Sequence, residues 1–285
     1  MKRRTLLAGL PFLAAPASAA TRLRTVATFS VLGDFLHEIG GESIEIATLV
    51  GPDTELHSFQ PTPREARILA SSRLLVINGL GLEGWLDRLA EAASFKGSQI
   101  VATAGLPNIG DPHCWHDVAA ARRYVANIAS GLAGVDAAQA DAYRARAASY
   151  DRRLAALDRW VRAEIAKVPE ARRRAIVGHR AFTAFARAYG VELLSLRGGA
   201  RDDEPSARDV ADLIRSARRE NIKAVFVENL SNPTLVAEIA RDLGVRLGSP
   251  LYSDALSRAD GPAATYEAMM RYNVTTLVAG MLATS

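Results

Sequence analysis

Cysteine is almost absent. Cys114 stands alone in 285 residues, which excludes an intrachain disulfide and leaves the redox compartment unmarked. Paired metal motifs are missing too: there is no C-x-x-C and no H-x-x-x-H, and neither an H-E-x-x-H helix nor a nucleophile elbow is present. Those gaps remove the local signatures of zinc fingers, zinc peptidases and serine hydrolases. No tandem repeat, low-complexity tract or basic stripe interleaved with aromatics occurs, so nucleic acid is not an expected partner. Histidine is scarce, at five residues, and this scarcity makes the position of each one informative.

What is present is an apolar chain with a distinctive start. Hydrophobic residues make up 49%, ample for a buried core, and the length suits two ordinary domains or one large one. Met1-Lys2-Arg3-Arg4 is a basic head, Thr5 to Ala15 a short apolar run, and Ala17-Ser18-Ala19 an A-x-A-like cleavage site. Residues 1–20 are therefore expected to be a secretory signal peptide, too short to span a membrane as a stable helix. Arg3-Arg4 before Thr5-Leu6-Leu7 fits a twin-arginine signal as well as a general secretory one. No lipobox cysteine lies near the cleavage site, so the mature protein is expected to be soluble, in a bacterial periplasm, and to act as a monomer. Lys2, Arg3 and Arg4 supply three of the formal net charge of +4, so the mature chain is nearly neutral.

Strand and helix patterns alternate along the chain. Leu23 to Thr28, Ile44 to Val50, Leu74 to Ile77 and Gln99 to Ala102 read as strands. Helical spacing lies between them at Val31 to Ile39, from Arg64 with Thr62 as N-cap, and at Glu83 to Ala92. Asp117 to Leu132 is a further helix. The longest helical pattern follows, Ala137 to Val168, with one apolar stripe at Tyr143, Tyr150, Leu154, Leu157, Val161, Ile165 and Val168, its gap filled by Ala147. So long a helix, mid-chain, either crosses from one lobe to another or is an ordinary bundle helix. The rhythm resumes with strands at Ala175 to Val177, Val191 to Leu196, Ala224 to Val227 and Val245 to Tyr252. Helices are expected at Ala181 to Tyr189, Ala207 to Arg219 with Ser206 as N-cap, Pro233 to Leu243, and Pro262 to Leu282. The expected fold class is α/β: two lobes, each a mostly parallel sheet flanked by helices, joined by one long helix. The expected boundaries are 21–135 for the N-terminal lobe, 136–168 for the linker helix and 169–285 for the C-terminal lobe.

Three histidines fall in loops that interrupt this rhythm. His57 lies in the loop Gly51 to Pro61, His113 in Asp111-Pro112-His113-Cys114-Trp115, and His179 between the strand Ala175 to Val177 and the next helix. Loops at the ends of parallel strands are where open α/β sheets bind ligands, and imidazole suits zinc and other borderline metals. Taken singly, each histidine also reads as an exposed loop residue or a helix cap.

Several segments together resemble the metal-binding solute receptors of ABC transporters, the group that takes up zinc and manganese. They are Gly51 to Pro63, ending His-x-x-x-Pro-Thr-Pro; Asp111 to Trp115; Gly178-His179-Arg180-Ala181-Phe182 with Phe185 to Gly190; and Leu251-Tyr252-Ser253-Asp254-Ala255-Leu256-Ser257. Glu204-Pro205-Ser206 and Met269 to Asn273 match as well, so the resemblance runs the length of the mature chain. It implies His57, His113, His179 and Asp254 as ligands of one metal ion in a cleft between the lobes, with an ABC-transporter membrane permease, and a periplasmic metal donor, as partners. It implies a receptor rather than an enzyme.

Three nitrogens and one carboxylate favour Zn2+ as the cargo, with Mn2+ or Fe2+ as the alternative. The rival class is a periplasmic zinc-dependent hydrolase holding metal through the three histidines, but Asp254 closes the fourth position that such chemistry needs. Two features depart from the resemblance. Thr103 to Asp111 is short and lacks histidine where many zinc receptors carry a long His-rich loop, and Cys114 stands where an aromatic is common. Cys114 reads as a spare soft ligand or, as expected here, a small buried residue; His116 as a group that touches the metal in an intermediate or, as expected, a surface residue at a helix start; His37 is expected to be structural. Glu228 and Glu204 could accept from imidazole nitrogens or serve as helix-capping or interlobe carboxylates. Metal affinity is expected to fall as the pH drops through about 6.5, the ordinary histidine value.

Overall fold

The computed structural model describes residues 22–195, 206–230 and 233–283. The expected signal peptide, Leu196 at the end of an expected strand, and the whole loop Arg197 to Glu204 lie outside them. The first half alternates strictly: β1 (Leu23–Phe29), α1 (Ser30–Gly40), β2 (Ile44–Val50), α2 (Pro63–Ala70), β3 (Leu74–Ile77), α3 (Leu86–Ala92) and β4 (Ser98–Val101). These strands form one parallel sheet in the order β2-β1-β3-β4. β3 is wholly apolar and buried, and β1, although it carries Arg24, Thr25 and Thr28, is buried at all but Arg24, as strands covered on both faces must be. The chain steps from β1 to β2 on one side and then to β3 on the other. That reversal opens a crevice at the carboxyl ends of the strands.

Two long helices follow, α4 (Val118–Val135) and α5 (Ala140–Ala166). The second lobe then comprises β5 (Arg174–Val177), α6 (Thr183–Tyr189), β6 (Glu192–Ser195), α7 (Ala207–Arg219), β7 (Ala224–Val225), α8 (Thr234–Leu243) and α9 (Tyr266–Leu282). Its three strands are also parallel, in the order β6-β5-β7.

α5 joins the lobes. Its 27 residues span about 40 Å at 1.5 Å per residue. Its apolar stripe, Tyr143 through Ile165 with Ala147 in the gap, is buried, and it packs on α1 and α4 of the first lobe and on α6 and α9 of the second. One continuous apolar core runs from the β1 sheet through α4, α5 and α9 to the inner face of β5. A separate, smaller core, eight buried residues among those described, lies outside the second sheet, under α7 and α8.

Local chemistry sets several boundaries. Thr62 and Glu65 form a reciprocal capping box at α2, and Ser206 and Asp209 form another at α7. Some expected elements are shorter. Residues 137–139 form a separate 3-10 turn before α5. The closing helix starts at Tyr266, where Thr265 caps it by accepting from the Ala268 amide. The expected strand from Val245 to Tyr252 is reduced to two isolated bridges, Val225–Leu247 and Glu228–Leu251. Pro250 has no N–H to give a ladder, and Gly248 lies against the Phe226 ring with no room for a side chain.

Candidate metal centre

Four loops at the carboxyl ends of the two sheets meet between the lobes. His57 comes from the loop after β2, His113 from the loop after β4, His179 from the turn after β5, and Asp254 from the segment after the Leu251 bridge. One ligand atom from each of the four lies within 4.8 Å of every other. His57 Nε2 is 3.2 Å from His113 Nε2, and His113 Nε2 is 3.0 Å from Asp254 Oδ1. His179 Nε2 is 3.2 Å from Asp254 Oδ2, while His57 Nε2 is 3.7 Å from Asp254 Oδ1. Both oxygens of Asp254 therefore face the cluster.

Three of the four side chains are aimed by a partner behind them. Asp111 Oδ1 accepts from the His113 amide at 2.9 Å and lies 2.5 Å from His113 Nδ1, which turns Nε2 to the centre. The other Asp111 oxygen accepts from the Thr183 amide, so the same carboxylate ties the first lobe to the start of α6. Glu228 Oε1 accepts from the amides of Gly178 and His179 and lies 3.5 Å from His179 Nδ1. A side chain at Gly178 would collide with Glu228 Oε2, so glycine is required there for the carboxylate to approach the backbone. Ser253 Oγ donates to Asp254 Oδ2. His57 is the least enclosed of the four, its amide donating to Glu55 Oε1.

The electrostatics are those of a cation site. Burial alone would lower the pKa of His113, but the Asp254 charge and the adjoining Asp111 carboxylate outweigh it and raise it to about 9. His179 is likewise pushed up to about 11: burial opposes, and Asp254 and Glu228 prevail. Burial would raise the Asp254 pKa, yet the His179 and His113 charges hold it well below the usual carboxylate range. His179 Nε2 and Asp254 Oδ1 are buried and, although 3.2 and 3.0 Å from charged partners inside the cluster, form no well-aligned hydrogen bond. Buried polar atoms without hydrogen-bond partners are costly, and a metal ion would satisfy both. The expected decline in affinity near pH 6.5 is thereby moved upward, because protons hold two of these histidines into the alkaline range.

The expectations for the neighbouring residues divide. Glu228 stands behind His179, as one of its two expected roles required. Cys114 is a small buried residue. His37 lies in α1, exposed. His116 is corrected: it is not on the surface but 0% exposed, enclosed by Trp115, Phe182 and the Ser253 backbone. Asp111 was not singled out as a partner of His113, although the Asp-x-His spacing lets a carboxylate reach back to the imidazole two residues on.

Fold and cleft together define a two-lobed solute receptor with a cation site between its lobes. Residues 25–280 match the family model described as "Zinc-uptake complex component A periplasmic". The chain belongs to this family of substrate-binding receptors for metal ABC transporters, and it is not an enzyme. It is 33% identical over 275 residues to the manganese-binding lipoprotein MntA of Bacillus subtilis, covering 91% of this chain and 90% of that one. It is 28% identical over 275 residues to the iron-binding protein YfeA of Yersinia pestis, covering 93% and 88%. The periplasmic zinc binding protein TroA of Treponema pallidum superposes with a TM-score of 0.86 at 25% identity, over 92% of this chain and 99% of that chain.

Proposed function

We propose that the protein captures one divalent transition-metal ion through His57, His113, His179 and Asp254 in the periplasm and delivers it to the membrane permease of an ABC importer. Its physiological cargo is manganese, or iron in its place. The observation that carries the reading is the convergence of three imidazole nitrogens and a carboxylate from four distant chain segments. Because both Asp254 oxygens face the cluster, the donor set extends to three nitrogens and two oxygens. Added oxygen suits manganese and iron better than tetrahedral zinc. The relatives named for manganese and iron, and the absence of histidine from Thr103 to Asp111, support the same choice. In this reading residues 21–135 and 169–285 are the two metal-binding lobes and 136–168 the linker. The leader-like pattern of residues 1–20 supports the location.

Zinc is the second reading, supported by the family description and the zinc-binding neighbour. The isolated protein is expected to bind zinc more tightly than manganese whatever the cell imports, because affinities at such sites rise from manganese to zinc. Cellular uptake is therefore the deciding measurement. Deleting the gene should abolish accumulation of radiolabelled manganese or iron while sparing zinc. The wild-type chain should restore it and His179→Ala should not. Loss of zinc uptake alone would move the assignment to the second reading, and unchanged uptake of all three metals would overturn the transport role.

A further inference from the structure

The turn that carries His113 does more than present one ligand. Cys114–His116 is a single 3-10 turn capped by His113. Trp115 Nε1 donates to the Ser253 carbonyl at 3.1 Å, and His116 Nε2 lies 3.0 Å from the same oxygen. That carbonyl belongs to the peptide joining Ser253 to Asp254. Two adjacent side chains of the first lobe thus grip the backbone that aims Asp254. The His116 ring also rests on Phe182 with centroids 4.5 Å apart, and Phe182 lies three residues beyond His179. His116 therefore touches the segments that carry three of the four clustered residues, without itself belonging to the cluster.

The ring has a cost that points to a purpose. The ring is wholly buried, and its Nε2 faces a carbonyl oxygen that can only accept. The Ser253 carbonyl therefore requires a proton on Nε2. Nδ1 is left buried with no hydrogen-bond partner. An apolar residue would avoid that penalty. We infer that His116 is a positioning residue that, with Trp115, fixes the Ser253–Asp254 peptide so that Asp254 is already placed for the metal before the ion arrives. The inference rests on the four-residue metal site proposed above.

The test compares His116→Leu and His116→Gln with the wild type, each loaded with Mn2+ and stripped by excess EDTA, release being followed by manganese EPR. Glutamine can place an amide N–H where Nε2–H stands; leucine fills the space without a donor. His116→Leu is expected to release metal about fivefold faster, the factor set by one net hydrogen bond, with the Tm of the metal-free protein unchanged or raised. His116→Gln should restore the wild-type rate. Equal rates in all three proteins would overturn the inference, as would equal acceleration in both variants, which would mean that ring packing and not the donor matters. Should His116→Leu fail to fold, nitrogen-15 NMR of the wild type decides: the Nε2–H tautomer is expected for His116 with and without metal, and the Nδ1–H tautomer refutes the grip. Failure of the wild type to bind Mn2+ or Zn2+ would refute the metal site itself, an outcome distinct from a site that binds normally and ignores His116.

Discussion

Metal capture is expected to be an exchange of charge. In the metal-free protein His113 and His179, with pKa values raised to about 9 and about 11, each hold an extra proton beside an ionised Asp254. Those two protons carry the same double charge as the ion that displaces them. Ligating imidazoles must be neutral, so at neutral pH both protons leave when metal enters, whereas Asp254 has none to give. Two protons per ion make the apparent dissociation constant rise about a hundredfold when the pH falls from 8 to 7. At pH 7 the His113 proton alone subtracts about 3 kcal/mol from the intrinsic affinity, at about 1.4 kcal/mol per pH unit below its value. Chelator competition at fixed ionic strength measures the slope, and calorimetry in buffers of different ionisation enthalpy counts the protons. The stability of the metal-free protein should run the other way. A histidine whose pKa rises on folding contributes fully below its unfolded value of about 6.5, and the contribution is lost as the pH climbs through the folded value. The metal-free Tm should therefore fall between pH 8 and pH 10 while affinity grows. Release of fewer than one proton per ion, or a metal-free Tm flat over that range, would refute the ion pairs of Asp254 with His113 and His179.

Three further substitutions probe the surroundings. Gly178→Ala places a methyl group against Glu228 Oε2, so it should displace the support of His179 and weaken metal binding about 10- to 100-fold, measured by the same competition, with secondary structure intact by circular dichroism. Asp34, partly buried at the junction of α1 and α9, has its pKa raised to about 6 by burial, although the Tyr266 amide bonds it. An acid whose pKa rises on folding costs stability above that pH, and Asn keeps the acceptor without the charge. Asp34→Asn should therefore stabilise by on the order of 1–3 kcal/mol at pH 7.5, and the gain should vanish by about pH 4 in urea titrations. Leu157→Ala, at a wholly buried position of the α5 stripe, should cost about 2–5 kcal/mol in the same assay, and a loss below 1 kcal/mol would contradict its place in the core.

Much of this architecture was legible because it is written locally. The α5 stripe repeats at helical spacing, Thr62 and Ser206 announce their helices, and the short apolar runs alternate with helices as a parallel sheet demands. The convergence of His57, His113, His179 and Asp254 was legible through motifs, not through spacing, since the first two stand 56 positions apart. What stayed hidden depends on contacts made across the lobes. His116 follows a tryptophan at a helix start and resembles a surface residue; its burial comes from a carbonyl 137 positions away. The Val245 to Tyr252 strand failed because apolar content outweighed the plain signals of Gly248 and Pro250. The choice of cargo is not written in the donor types, which serve several ions, and the orientation of the Asp254 carboxylate is a property of the folded loop.

The smaller core beneath α7 and α8 implies a molecule of uneven durability. Among the described residues, eight buried ones and a two-residue β7 hold that layer, whereas α1, α4, α5 and α9 share the continuous core. Amide exchange should thus divide into two cooperative units, the α7–α8 layer opening with much less free energy than the rest. β5 is their common wall: Ile176 belongs to the weak unit, and Ala175 and Val177 to the strong one. His179 emerges from the end of that wall, so the outer layer can breathe, and tolerate sequence change, while the histidine of the cluster remains anchored to the slow-exchanging half of the protein.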